Sequence, residues 1–209
     1  MFSTRFARFC SPKAKCFRSF GIGTILLSSS FVLSSCIKRL YQQSDYRLYE
    51  KDFTLSSQSL LRTDGVYVLD SIYSSETSRA GTTHQFFTFF KSGQANLTLD
   101  IDNDIHSPEE YEESVRRHLQ STSSSDRKTL FEGYFRIDGN RIVIERASVP
   151  RNMLVYQYGR LNPNRLEIVS QTIKGKGRLR DRYFKSNYRA VYKFVPLDEN
   201  QWNELIPGW

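Results

Sequence analysis

The chain has 209 residues, 3 cysteines, 15 Phe, 12 Tyr and a formal net charge of +8. That charge is no nucleic-acid footprint, because Arg5, Arg8, Lys13, Lys15 and Arg18 stand together in the first 35 residues with no acid among them. With those five charges set aside the remainder carries +3 and keeps only Cys36, which excludes an intramolecular disulfide and a cysteine metal cluster there.

The basic stretch leads into an apolar run, Phe20 to Leu33, broken by Gly21, Gly23 and Ser28-Ser29-Ser30. The run is shorter than the roughly 20 residues that cross a bilayer. A basic region, a short apolar region and small residues before a cut site describe a secretory signal peptide; an uncleaved membrane helix is the alternative. Leu33-Ser34-Ser35-Cys36 resembles the lipobox of bacterial lipoproteins: an aliphatic residue, two small ones and a cysteine. The resemblance covers the first 36 positions. It implies cleavage before Cys36, diacylglycerol on its sulfur and an acyl chain on the new α-amine. The product would be lipid-anchored to a bacterial cell envelope, periplasmic or surface-facing, at the outer membrane where there are two.

Residues 36–59 are polar, with Tyr41, Tyr46, Tyr49 and Phe53 at no clear period. They read as a lipidated tether. Lys38 and Arg39 would rest on anionic headgroups or simply be solvated.

From Gly65 the period becomes two. Gly65–Tyr73 predicts a first strand, His84–Lys91 a second and Ala95–Ile101 a third, with a Ser92-Gly93 turn between the last two. Ser107-Pro108-Glu109-Glu110 is a capping box and predicts a helix to about Gln120. Its acids lead and its bases trail, as the helix dipole prefers. Tyr111, Val115 and Leu119 form one narrow apolar stripe, which places the helix outside the sheet or over an opening. Ser121–Ser125 is a polar loop. Phe131–Ile137 and Arg141–Glu145 follow as two strands around Asp138-Gly139-Asn140, a hairpin turn. Phe131, Gly133, Phe135 and Ile137 share one face, as do Ile142 and Ile144. Met153–Leu161 and Arg165–Ile173 pair about Asn162-Pro163-Asn164, and Tyr188–Val195 closes the series.

Eight strands with one-sided apolar faces and short connections predict closure, because an open sheet leaves two edges. The fold class is mostly β: an eight-stranded antiparallel up-and-down barrel over residues 60–197, with one helix between its third and fourth strands and a tail at 198–209. A two-sheet sandwich is the alternative. With its Tyr-Phe-Arg-Ile-Asp-Gly-Asn-Arg-Ile-Val-Ile hairpin the chain resembles the lipocalin-like lipoproteins of bacteria. It departs from them in having Gly65-Val66-Tyr67 where they carry Gly-x-Trp, and in the early position of its helix. The resemblance implies a barrel that carries a small apolar or amphipathic ligand.

Phe86, Phe90, Phe131, Phe135, Tyr156, Tyr158, Tyr192 and Phe194 are the expected inward aromatics, lining a cavity or filling a core. Lys174, Lys176, Arg178, Arg180, Arg182 and Lys185, with one acid among them, would engage anionic lipid or another anion, or form a solvated hairpin loop. His84, His106 and His118 lie far apart in sequence, and Asp100, Asp102 and Asp104 lack the glycine and glutamate of a calcium loop. No nucleophile elbow or phosphate loop occurs. No enzyme activity, metal or cofactor is expected, nor nucleic acid as a partner. Trp202, Leu205, Ile206 and Trp209 would dock on the domain or on an envelope protein. Two functions follow as expectations: a lipid-anchored carrier, or an envelope scaffold with a filled barrel.

Overall fold

The computed structural model describes residues 42–74, 78–80, 84–120, 131–148, 153–198, 202 and 207. Cys36 and the signal region, the 121–125 loop, and Leu205, Ile206 and Trp209 lie outside the described residues.

The strands are β1 (Gly65–Tyr73), β2 (Ser78–Ala80), β3 (His84–Phe89), β4 (Gln94–Asp100), β5 (Phe131–Asp138), β6 (Arg141–Ser148), β7 (Met153–Asn162), β8 (Arg165–Thr172) and β9 (Arg189–Pro196). Each of β3 to β9 pairs antiparallel with its neighbour in sequence, and β9 returns to β1 over the whole of β1. On the other edge of β1, β3 takes Val66–Val68 and β2 takes Ser71–Tyr73. So β2 and β3 are two pieces of one stave, and the closed barrel has eight. Helix α1 (Pro108–Gln120) falls between β4 and β5, which are the third and fourth staves. The sandwich alternative is excluded by the β1–β9 pairing.

Local chemistry sets the turns and the helix. Gly139 has φ +58, which a glycine reaches without a Cβ clash, and it closes the β5–β6 hairpin. Asn164, with φ +57, does the same between β7 and β8. At α1, Glu110 accepts from the backbone N–H of Ser107 at 2.9 Å, and Ser107 Oγ accepts from that of Glu110 at 3.3 Å. This reciprocal cap fixes where the helix begins.

Apolar side chains form three clusters. The first fills the bore: Tyr67, Leu69, Phe87, Phe89, Leu97, Phe135, Ile142, Ile144, Leu161, Leu166, Ile168 and Tyr192. The second lies on the outer wall of β5–β8, where Tyr134, Val143, Tyr156, Tyr158 and Val169 are covered by Tyr46, Leu48 and Phe184. The third lies on the opposite outer wall, where Val66, Phe86 and Phe90 are covered by Tyr111 and Val115 of α1 and by Leu197 and Trp202. The helix therefore lies on the outside, not across an opening.

Two expectations are corrected here. Phe86, Phe90, Tyr156 and Tyr158 face the outer clusters, whereas Phe135 and Tyr192 lie in the bore with Phe194 packed against them. Of Phe131 only the backbone is described. The supposed tether, from Tyr46 onward, is docked: Tyr46 and Leu48 are buried, and Phe53 and Leu55 pack on the bore cluster. Trp202 takes one of the two placements expected of it and docks on the domain, its ring parallel to Phe90 at 6.4 Å and its indole N–H donating to the Thr63 carbonyl.

Candidate functional site: the polar mouth of the barrel

The two ends of the bore are built differently. At the end carrying the β3–β4, β5–β6 and β7–β8 turns, Phe53 packs edge-on to Phe135 at 5.3 Å, and Phe135 meets Phe89 at 5.3 Å. Leu61 is buried beside them, and Tyr67 Oη accepts from the backbone N–H of Arg62 at 2.9 Å. This end is plugged.

The other end opens into a cavity of about 420 Å³ lined by Gln85, Leu97, Arg146, Gln157, Ile168, Gln171, Ser186, Tyr188 and Tyr192 among others. Arg146 stands two residues beyond Ile144 on β6, so strand alternation aims it into the bore. Its Nε donates to Gln157 Oε1 at 2.9 Å, and Gln157 Nε2 donates to Gln171 Oε1 at 3.3 Å. Across the mouth, Gln85 Nε2 donates to Tyr192 Oη at 2.9 Å. Alternation along β7 puts Gln157 and Gly159 on the inner face and Tyr156 and Tyr158 outside, while a bulge at Val169 on β8 brings Gln171 opposite Gln157.

Arg146 is only 8 % exposed. Burial pulls its guanidinium down to about 10, so it remains a cation at neutral pH. Burial likewise holds the Tyr192 phenol well above its ordinary range, so it stays neutral and available as a donor. The mouth thus combines one fixed cation, three amides and a phenol with an apolar floor of Leu97, Ile168 and Ala190. That set can seat a molecule with an anionic or strongly accepting head and a short apolar portion. Sequence reasoning missed Arg146, Gln85, Gln157 and Gln171. For Arg146, Gln85 and Gln157 the available signal was parity with Ile144, Phe87 and Gly159; Gln171 is out of phase with Leu166 and Ile168 because of the bulge, and parity does not find it.

A second polar constellation fastens the helix. His84 Nδ1 and Asp100 Oδ2 lie 2.7 Å apart, and Tyr111 Oη lies 2.9 Å from His84 Nε2. Asp100 also accepts from the backbone N–H groups of Asp104 and Ile105. Burial alone would raise its carboxyl, but these hydrogen bonds hold it down at about 2. His106 stacks on His84 at 5.6 Å, so two of the three histidines meet. His118 sits apart, 3.4 Å from Glu132. Asp102 and Asp104 are exposed, and among the described residues no three ligating groups converge as a metal site. A third group, Glu145, is wholly buried on the outer wall. It accepts from the Leu48 N–H at 2.7 Å and from Tyr156 Oη at 2.8 Å, and burial pushes its carboxyl up.

The six bases of 174–185 are all exposed, on a loop whose Leu179, Tyr183 and Phe184 pack on the outer wall of β5–β8. No described helix is long and apolar enough to cross a membrane. The chain matches no family model, no curated protein and no solved structure.

Proposed function

We propose that this barrel is a carrier domain that takes one small amphipathic molecule at its polar mouth, with the anionic head of the ligand on Arg146. The single observation that supports this is the contrast of a plugged end with a cavity of about 420 Å³ holding a buried guanidinium. The volume lies within the range of small-molecule pockets, roughly 300–1,000 Å³. A filled scaffold would have no physical need for a cation in its bore, since replacing a buried charge by apolar packing is commonly neutral or stabilising. The lining is mostly polar, so the ligand is amphipathic and not a plain hydrocarbon.

The lipobox-like segment adds that the carrier is held on a bacterial envelope by lipid on Cys36. The reading is of a binding protein and not an enzyme. Native mass spectrometry of gently extracted protein tests it. A co-purifying acidic amphiphile is the expected result. A ligand-free spectrum, together with no uptake of a fluorescent fatty acid, overturns the carrier reading and leaves the scaffold.

A further inference from the structure

We infer that the outer wall of β5–β8, with the 174–185 loop as its surface, is a docking face for an anionic lipid bilayer. The loop carries six bases and one acid, Asp181, and that acid is held by Arg141 at 2.7 Å. Lys174, Lys176, Arg178, Arg180, Arg182 and Lys185 are all exposed.

The loop is a fixed plate and not a free arm. Phe184 is buried, and the Tyr183 ring stacks on Tyr158 at 4.6 Å. Arg160 donates to the Phe184 carbonyl at 3.0 Å, and Ser170 Oγ donates to that of Tyr183. Gly177 adopts φ +70, and a Cβ there would press on Leu48, so the loop and the N-terminal strap lie against each other. Burying the aromatic side of the loop leaves its charges facing outward together.

The position of the strap selects the partner. Leu48 touches the loop, and Cys36 precedes it by twelve residues, at most about 40 Å of extended chain. If lipid on Cys36 enters a bilayer, the chain running from it first meets the barrel at this wall, where Tyr46 and Leu48 pack. Each base near an anionic surface strengthens the attraction about fivefold. An acidic protein could meet the same charges, but the proximity of the anchor segment favours lipid. The proposal is independent of the ligand at the mouth.

The test uses the full chain reconstituted in vesicles of phosphatidylcholine, with or without phosphatidylglycerol. An amine-reactive reagent is applied and each lysine is read by mass spectrometry. Acylation of Lys174, Lys176 and Lys185 is expected to slow about fivefold or more when the anionic lipid is present. Lys193, exposed on β9, serves as the internal reference and should not slow. The double variant Arg178→Gln, Arg180→Gln changes only exposed side chains and should return the three lysines toward their rates on neutral vesicles. Equal rates on both vesicles overturn the proposal. Equal slowing of Lys193 overturns it too, as does protection that survives in the double variant.

Discussion

At the plugged end of the barrel Phe53, Leu55, Leu61, Tyr67, Phe89 and Phe135 close the bore with rings and aliphatic chains. At the mouth Gln85, Arg146, Gln157, Gln171 and Tyr192 surround an open cavity. The strands run through both ends, so the difference lies in the side chains and in what covers them. One end spends its positions on packing, the other keeps polar groups that packing alone does not require. The comparison teaches where stability and binding separate in this fold, and substitutions at the two ends should separate them too.

The largest effect belongs to the plug. Phe135 is buried and touches Phe53 and Phe89, so Phe135→Ala leaves a cavity and should cost about 3–5 kcal/mol, read by urea unfolding. Next comes the clasp of the N-terminal strap. Glu145→Ala strands the Leu48 N–H and the Tyr156 hydroxyl and should cost about 1–3 kcal/mol. Glu145→Gln tests the charge. The folded-state carboxyl titrates above its ordinary value, so its contribution is most favourable below that value and declines as pH rises through the raised one. The Gln variant should lack that slope.

Asp100→Asn is smaller, about 1–2 kcal/mol: its amide keeps one acceptor oxygen for the Asp104 N–H but has no second one for the Ile105 N–H, and it loses the charge-assisted bond to His84. Its sign with pH is opposite to that of Glu145. The Asp100 carboxyl is lowered, so its stabilisation is complete above the ordinary aspartate value and is lost as pH falls toward about 2. Acid titration of the parent should release α1 in that window, and the variant should lack that acid-dependent step. The smallest stability effect is expected at the mouth. Arg146→Met replaces a buried cation by an apolar chain of similar length, and its melting temperature should equal or exceed that of the parent.

Much of the barrel was legible in the sequence. Gly133, Phe135, Ile137, Ile142 and Ile144 alternate on staves whose tight turns are marked by Gly139 and Asn164, and the capping box fixed α1. The inward aromatics were less legible because the outer walls are also apolar. Phe86 and Phe90 lie under α1, and Tyr156 and Tyr158 lie under the strap and the basic loop, so hydrophobicity alone does not name the inner face. The bulge at Val169 broke the simple phase on β8 as well, so Gln171 does not share the parity of Leu166 and Ile168. The strap looked like a tether because Tyr46 and Leu48 serve the outer-wall cluster while Phe53 and Leu55 serve the bore, which leaves no single period. Arg146 was hidden by its type: an arginine near a strand end reads as solvated until the parity of its neighbours is followed.

Titration with a fluorescent fatty acid, run on the parent and on Arg146→Met, tests the division between the ends most directly. The account predicts saturable one-to-one binding by the parent, a loss of about tenfold or more in the variant for the missing charge-assisted hydrogen bonds, and no loss of melting temperature. Equal affinity in the two proteins, or no binding by either, would contradict it.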